Sequence, residues 1–215
     1  MADITFYTNP MSRGQIARWA LHEVGADYEQ ALLDYGTTMK APEYLKFNPM
    51  GKVPCILDFR GSGDPKVVTE AAAICAYLAE TYPAAGLAPT DDERADYYRW
   101  MFYAAGPVEQ AVVARSMGWE VTDDKQMMVG FGSFPKVMDT LDGLLSDGRL
   151  FVCGDRFTMA DVYFGSQIDS GLMFGSIEKR QSFEDYAARL RERDGYKAAK
   201  AIDGALIAEM QAAKG

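Results

Sequence analysis

The sequence has few of the residues that metal and redox sites need. Its 215 residues include a single histidine, His22, and only three cysteines, Cys55, Cys75 and Cys153. These cysteines are too few and too scattered for a disulfide framework or a zinc site, and without a Cys-x-x-Cys pair the chain does not look like a dithiol oxidoreductase. His22 lies near the end of a predicted helix, where a structural role is favoured. We therefore expect no metal.

Positive charge and long apolar runs are also scarce. The chain has 22 Lys and Arg against 31 Asp and Glu, a net charge of −9. Nucleic acid and anionic membranes need a basic patch, so neither is an expected partner. No apolar run approaches the roughly 18 residues of a membrane-spanning helix, and the first residues carry an acid where a signal peptide needs a base. We expect a cytoplasmic protein.

The rest of the composition is that of an ordinary globular protein, with 48% hydrophobic and 25% charged residues.

The β-branched and aromatic run Ile4–Tyr7 predicts a strand, and the apolar period in Arg13–Val24 predicts a helix that Gly25 ends. A second strand is predicted over Tyr28–Leu33. The short crossover implies that the two strands pair in parallel.

A hairpin is predicted next, from strands at Pro54–Phe59 and Lys66–Val68. Thr69 then begins a helix that reaches about Tyr82. This βαβ-ββα order is the thioredoxin-like arrangement.

Beyond a Pro- and Gly-rich linker the strand signals nearly vanish. We predict a thioredoxin-like domain over residues 1–83, a linker over 84–92 and an all-helical domain over 93–215. The fold class is thus α/β followed by all-α. The predicted helices of the second domain are Asp92–Arg115, Gln126–Ser146, Thr158–Ser170, Ser182–Asp194, Gly195–Lys200 and Ile202–Ala212.

The segment around Gly51 and Pro54 predicts a loop that can present its backbone to a peptide-like ligand. Gly51 permits a tight bend, and a cis Val53-Pro54 bond would turn the N–H and C=O of Val53 outward. A buried turn without function is the alternative. The helix start at Thr69-Glu70-Ala71 favours the ligand site, because its free N–H groups and positive dipole end suit a carboxylate.

Three segments together resemble the cytosolic glutathione transferases, of the bacterial, serine-type kind. They are the strand end and helix start Tyr7–Gly14, the loop Gly51–Pro54, and the capping box Thr158–Asp161 of a core helix. Each is weak alone, but their order and separations cover most of the chain. The resemblance implies an enzyme with glutathione as co-substrate. A non-catalytic ligand-binding or interaction protein of the same fold is the alternative.

The resemblance implies a hydroxyl that stabilises the glutathione thiolate. Ser12 lies two residues after Pro10, where the serine-type classes place that hydroxyl. An ordinary helix N-cap is its other interpretation. Tyr7 is the rival donor, because the tyrosine-type classes use the end of this strand.

The resemblance also implies how the rest of glutathione would be held. Lys40 or Lys52 would neutralise the glycine carboxylate, Val53 would pair with the cysteinyl unit beside Pro54, and Glu70 would hold the γ-glutamyl ammonium. Ala71 departs from the family pattern. Many relatives have serine there, whereas Ala71 offers only its backbone N–H to the γ-glutamyl carboxylate.

An electrophile pocket is expected between the two domains. The candidate residues are Met11, Tyr103, Met117 and Trp119, since thioether and aromatic surfaces adapt to varied apolar substrates. Core packing is the alternative for these residues. A homodimer is expected as well, from the resemblance and from the aromatic-rich helix Asp92–Arg115.

Overall fold

The computed structural model describes residues 2–213, and these residues divide into two compact units. One unit comprises the chain up to Gly86 together with the segment from Glu192 onward, and the other is Leu87–Arg191. None of the helices in the described residues combines the length and the apolarity that crossing a membrane requires.

A four-stranded sheet organises the first unit. Strand β1 pairs in parallel with β2 and antiparallel with β3, and β3 pairs antiparallel with β4, which gives the order β2-β1-β3-β4. The predicted thioredoxin-like βαβ-ββα arrangement is confirmed. Its elements are β1 Ile4–Thr8, α1 Gly14–Glu23, β2 Tyr28–Leu32, α2 Pro42–Leu45, β3 Cys55–Asp58, β4 Lys66–Thr69 and α3 Ala71–Thr81.

Alternation along β1 sets the two faces of this sheet. Ile4 and Phe6 are fully buried, and the Phe6 ring meets the guanidinium of Arg18 on α1 at 5.3 Å. Tyr7 faces the other way, because successive side chains of a strand point to opposite faces. Cys55 and Cys75 are buried in this unit.

The second unit is helical, as predicted. Its helices are α4 Arg94–Tyr103, α5 Glu109–Ser116, α6 Phe134–Leu145, α7 Met159–Phe174 and α8 Gln181–Arg191. A π-helical turn over Ala104–Val108, which contains Pro107, joins α4 to α5. Helix α6 begins later than the predicted Gln126, because residues 123–128 form a 3-10 turn and Ser133 caps α6 by accepting from the Lys136 N–H.

The start of α7 is fixed by the carboxylate of Asp161. Its Oδ2 accepts the backbone N–H of Thr158 at 2.8 Å, the reach-back half of the predicted capping box. Its Oδ1 accepts the Val152 N–H and the Tyr186 hydroxyl, each at 2.8 Å. Asp161 thereby joins the preceding loop and α8 to α7.

One helix, α9 Asp194–Ala212, replaces the two predicted at the end of the chain. It packs along α1 through a buried ion pair between Arg18 and Asp203 at 2.9 Å and a T-shaped contact of the Trp19 and Tyr196 rings. By compactness, the C-terminal helix therefore groups with the first unit, whereas the sequence placed it in the helical domain.

Candidate functional site

The turn between β1 and α1 is held by side chains on both flanks. Asn9 donates from Nδ2 to the Leu33 carbonyl at 2.8 Å and accepts the Met11 N–H at 3.0 Å. Gly14 follows the turn, and a Cβ there would lie 2.0 Å from Thr8 Oγ1. Only glycine lets α1 start this close to the strand.

Ser12 lies in this turn, half-buried, just before α1. Its Oγ accepts the Gly14 N–H at 2.9 Å and donates to the Asn9 carbonyl at 2.6 Å. The hydroxyl therefore accepts the first N–H of α1, one residue before the N-cap Arg13. Since a hydroxyl has one hydrogen, donation to a ligand requires Ser12 to turn away from Asn9.

Tyr7 lies on the sheet face opposite α1. Its ring packs on Tyr44 and Phe47, with centroid distances of 5.3 and 5.8 Å. Burial raises the pKa of Tyr7 above its ordinary value, with smaller contributions from Cys55 and Glu29. The phenol therefore stays protonated and remains able to donate a hydrogen bond.

Side chains hold the loop before β3 by donating hydrogen bonds to its carbonyls. Asn48 Nδ2 donates to the Lys52 carbonyl at 2.8 Å, which the Tyr44 hydroxyl also reaches. Lys40 Nζ donates to the carbonyls of Met50 and Gly51 at 3.0 and 2.8 Å. Two of the three ammonium hydrogens of Lys40 are thus used within the loop.

Gly51 is required where this loop bends. Its φ is +57°, and a Cβ would meet the Met39 carbonyl at 2.6 Å and the Lys40 ammonium at 2.9 Å. The predicted tight bend is present.

Val53 presents an open backbone edge beyond that bend. The Val53-Pro54 bond is cis, as predicted. Within residues 2–213, neither the N–H nor the C=O of Val53 has a hydrogen-bond partner, and the residue is only half-buried. A peptide lying alongside could pair with both groups.

Glu70 lies immediately before α3 in an unusual backbone conformation. With φ 68° and ψ 120°, it is the only non-glycine residue with positive φ in the described part of the chain. Such a conformation costs roughly 1–3 kcal/mol and occurs most often at functional sites. The side chain is exposed, and in residues 2–213 no donor pairs with its carboxylate. Ala71, the first residue of α3, is buried.

Comparison with known proteins gives two matching family models. Residues 11–81 match the glutathione S-transferase N-terminal domain, and residues 103–169 match the glutathione S-transferase C-terminal domain. Together they cover well over half of the chain, in the family's order. The chain belongs to the glutathione transferase family.

Individual proteins that resemble this chain are also glutathione transferases. It is 28% identical to a zeta-class glutathione S-transferase of Euphorbia esula over 171 residues, which are 76% of this chain and 73% of the relative. It is 26% identical to glutathione S-transferase 1 of Schizosaccharomyces pombe over 67% of this chain, and spans 65% of that relative. A glutathione transferase of Phanerochaete chrysosporium, solved with oxidized glutathione, has TM-score 0.75 and 25% identity, covering 95% of this chain and 98% of its own.

The predicted electrophile residues of the transferase are distributed over both units. Met11 is 46% exposed beside Ser12, and its carbonyl accepts the Tyr35 hydroxyl at 3.2 Å. In the second unit, Met117 and Trp119 are exposed after α5. Tyr103 ends α4, half-buried, with its ring 5.6 Å from that of Trp100. Met11, Met117 and Trp119 are therefore surface residues, not core.

The part of the chain that the structure describes offers neither a metal site nor an activated cysteine. Among the described residues no group of three or more His, Cys, Asp or Glu side chains could hold a metal ion. Burial raises the pKa of the Cys55 thiol to about 12, and burial likewise raises that of Cys153 to about 12. His22 contacts the Tyr28 hydroxyl at 3.1 Å, and burial lowers its pKa.

Sequence reasoning missed several residues that hold the candidate site. Tyr44 and Asn48 fix the Lys52 carbonyl, and Asn9 and Gln15 fix the turn that carries Ser12. Both asparagines precede a proline in the sequence, and Asn-Pro favours turn initiation. That signal could have marked Asn9 and Asn48. No comparable signal marks Tyr44 or Gln15.

Proposed function

We propose that this protein binds glutathione, activates its thiol, and joins it to small apolar electrophiles or uses it to reduce organic hydroperoxides. The observation that carries the proposal is Glu70, an exposed, strained carboxylate at the start of α3 with no donor of its own among residues 2–213. A strained residue whose carboxylate has no donor within residues 2–213 is understandable if its partner is a ligand. An ammonium group is the natural counterpart of this carboxylate.

Glutathione, an extended tripeptide, matches the remaining open groups. The Val53 backbone edge, beside Pro54, pairs with the cysteinyl unit, as in strand addition. Glu70 receives the γ-glutamyl ammonium, and the Ala71 N–H at the positive end of α3 receives the γ-glutamyl carboxylate. Without a serine hydroxyl at position 71, that carboxylate lacks one neutral hydrogen bond, worth about 0.5–1.5 kcal/mol.

Of the two candidate lysines, Lys52 is better placed to meet the glycine carboxylate. Lys40 already donates twice within the loop, at 3.0 and 2.8 Å. Lys52 is exposed, and in the described chain its ammonium has no partner. Lys40 then stabilises the loop that presents Val53.

Ser12 is the proposed activating hydroxyl, with Tyr7 as the rival. A thiol pKa near 8.5 must fall by about two units to make thiolate dominant at pH 7, which requires about 2.7 kcal/mol. One hydrogen bond to a charged sulfur gives about 1.5–3 kcal/mol, and the start of α1 adds up to about 1 kcal/mol. Ser12 turns from the Asn9 carbonyl to donate to the thiolate, and the thiol proton leaves to solvent. Sulfur then attacks the electrophile: an aryl halide loses halide, whereas an epoxide or isothiocyanate adds the thiolate and takes up a proton. With a hydroperoxide, sulfur attacks the terminal oxygen, the alcohol departs, and a second glutathione converts the resulting sulfenic acid to the disulfide and water.

Met11, exposed next to Ser12, is the residue of the first unit proposed to contact the electrophile. Family membership further supports a cytoplasmic homodimer that acts in detoxification. No nucleic acid or membrane partner is proposed.

A non-catalytic binding protein of the same fold is the second candidate. It is favoured by the hydrogen bond from Ser12 to the Asn9 carbonyl, which occupies the only hydroxyl hydrogen. A protein in which Ser12 never leaves Asn9 would bind glutathione and leave its thiol protonated.

Calorimetry with glutathione, followed by turnover assays, separates these functions. We expect micromolar to millimolar binding, thiolate absorbance of the bound ligand at neutral pH, and turnover with some members of a panel of aryl halides, epoxides, isothiocyanates and hydroperoxides. Binding without thiolate absorbance or turnover would support the non-catalytic candidate. Absence of glutathione binding would refute both.

A further inference from the structure

A side-chain relay connects the C-terminal helix to the turn that carries Ser12. Lys200 on α9 donates from Nζ to Gln15 Oε1 at 2.7 Å, and Gln15 Nε2 donates to the Pro10 carbonyl at 2.6 Å. Lys200 and Gln15 are both half-buried, and 185 residues separate them in the chain. The relay ends on the carbonyl two residues before Ser12.

The ammonium group determines which way the Gln15 amide points. Lys200 offers only donors, so it binds the amide oxygen and leaves the NH₂ group directed at Pro10. In the flipped amide, NH₂ would face an ammonium and oxygen would face a carbonyl, and both contacts would be repulsive. Lys200 therefore makes Gln15 a donor to the turn.

The Pro10 carbonyl is one of three consecutive carbonyls that fix this turn. Ser12 N–H and Oγ donate to the Asn9 carbonyl, and the Tyr35 hydroxyl donates to that of Met11 at 3.2 Å. Only the link from Gln15 comes from within α1 itself. It ties the peptide between Pro10 and Met11 to the helix whose first N–H binds Ser12.

We propose that Gln15 and Lys200 are positioning residues that hold the turn of residues 9–12 so that the Ser12 hydroxyl meets the glutathione thiolate. The effect on the glutathione thiolate rests on the proposed function. The effect on the conformation of the turn does not. Neither residue touches the reacting atoms, since both act through the Pro10 carbonyl.

Three contacts that do not involve Lys200 hold α9 in place. The buried Arg18–Asp203 pair, the Trp19–Tyr196 ring contact and the Arg193–Glu23 ion pair at 2.7 Å dock α9 along the length of α1. Substituting Lys200 should therefore leave the helix docked. The effect of the Lys200 substitution on the turn can therefore be measured in a folded protein.

The test uses Lys200→Met, which keeps the length of the side chain but not its donors, and Gln15→Glu, which keeps the shape but offers the carbonyl no N–H. Lys200→Arg is the rescue variant. Lys197→Met is the matched control, because Lys197 lies on the same helix and pairs with Glu192 at 2.8 Å, away from the turn.

Amide hydrogen exchange of the ligand-free protein gives the mechanical readout. In Lys200→Met and Gln15→Glu, the Met11, Ser12 and Gly14 amides should exchange about three- to tenfold faster, corresponding to one lost hydrogen bond. Exchange of the central amides of α1 should stay unchanged. Lys200→Arg and Lys197→Met should match the parent.

The pH dependence of thiolate formation on the enzyme gives the catalytic readout. Both variants should raise the pKa of bound glutathione by about half a unit or more and lower kcat/KM about threefold to tenfold, with glutathione affinity at low pH within about twofold. Neither variant should add to the loss in a Ser12→Ala background.

Unchanged exchange in the turn, or a thiol pKa and kcat/KM equal to those of the parent, would overturn the proposal. A loss that adds fully to Ser12→Ala would also overturn it. If the parent itself binds no glutathione, the proposed function fails. The exchange rates still decide whether Lys200 and Gln15 hold the turn.

Discussion

At the scale of single residues, the Ser12 hydroxyl has one hydrogen and two acceptors that could receive it, the Asn9 carbonyl and a ligand thiolate. Ser12→Ala should lower turnover at least about tenfold, because losing about 1.4 kcal/mol of thiolate stabilisation is a decade in rate. Glutathione affinity should change little, since the thiol is a small part of the ligand. Steady-state kinetics and calorimetry measure the two effects.

Ser116→Ala is the matched control for this substitution. Ser116 Oγ donates to the Val112 carbonyl on the exposed surface of α5, so its loss should leave turnover unchanged. Tyr7→Phe tests the rival hydroxyl. A larger loss in Tyr7→Phe than in Ser12→Ala would assign activation to Tyr7.

Glu70 is expected to contribute to binding more than to chemistry. Glu70→Ala should raise the glutathione dissociation constant about tenfold or more, because a hydrogen bond to a charged group is worth about 1.5–3 kcal/mol. The turnover number should fall much less. Glu80→Ala, at the exposed far end of α3, is the control for charge alone. Calorimetry showing equal affinity for Glu70→Ala and the parent would contradict the assigned role.

The backbone of Glu70 gives a separate prediction about stability. Glycine adopts a φ of +68° without steric penalty, whereas alanine keeps the strain. Glu70→Gly should therefore be more stable than Glu70→Ala by about 1 kcal/mol in urea unfolding, although both lose affinity. Equal stability of the two variants would mean that this conformation is not strained.

At the scale of elements, Asp161 at the start of α7 is surrounded by donors on both oxygens. Oδ1 accepts from Val152 and Tyr186, and Oδ2 accepts the Thr158 N–H and hydroxyl. In Asp161→Asn, the NH₂ group must face a backbone N–H in either orientation. We expect a loss of about 2–4 kcal/mol in urea unfolding, more than the roughly 1 kcal/mol of a single hydrogen bond.

Two variants calibrate that loss. Tyr186→Phe removes one donor and should cost about 1 kcal/mol. Asp155→Asn makes the same chemical change at an exposed position and should be neutral. An Asp161→Asn protein as stable as Asp155→Asn would show that the carboxylate does not organise α7.

Elements set by local pattern were predictable from the sequence, and those set by distant contacts were not. The apolar period of α1, the hairpin and the cis bond at Pro54 are legible within a few residues of chain. Continuity of α9 and its place beside α1 depend on Arg18 meeting Asp203, a pairing across 185 residues. Periodicity carries no information about such a pairing.

The candidate site shows the same limit. Ser12 and Glu70 were identified from short segments, but the hydrogen bond of Ser12 to Asn9 and the positive φ of Glu70 depend on how the chain closes around them. The hydrogen bonds of Lys40 to the carbonyls of Met50 and Gly51 were likewise not predictable from the sequence. The residue types of the site were predictable, whereas their present hydrogen-bond partners are visible only in the folded protein.

At the scale of the whole molecule, we expect a homodimer. Phe102 on α4 is 67% exposed, and its ring stacks on that of Tyr98 at 6.3 Å. Light scattering at micromolar concentration should give about twice 23.7 kDa. Phe102→Glu should weaken the dimer, because it places a charge in an apolar contact.

Phe174→Glu is the control for that substitution, since Phe174 is similarly exposed at the end of α7. A parent mass near 23.7 kDa at every concentration would refute the dimer. Loss of the dimer in Phe174→Glu but not in Phe102→Glu would place the interface elsewhere.

The grouping of α9 with the first unit has a consequence for synthesis of the chain. The ribosome makes the sheet and α1 first, then the 105 residues of Leu87–Arg191, and only afterwards the helix that covers Arg18 and Trp19. At about 5–20 residues per second, the nascent first unit waits roughly 5–20 s for its last helix. During that interval Arg18 has no carboxylate partner from α9, so a transient chaperone contact would fall on the exposed face of α1.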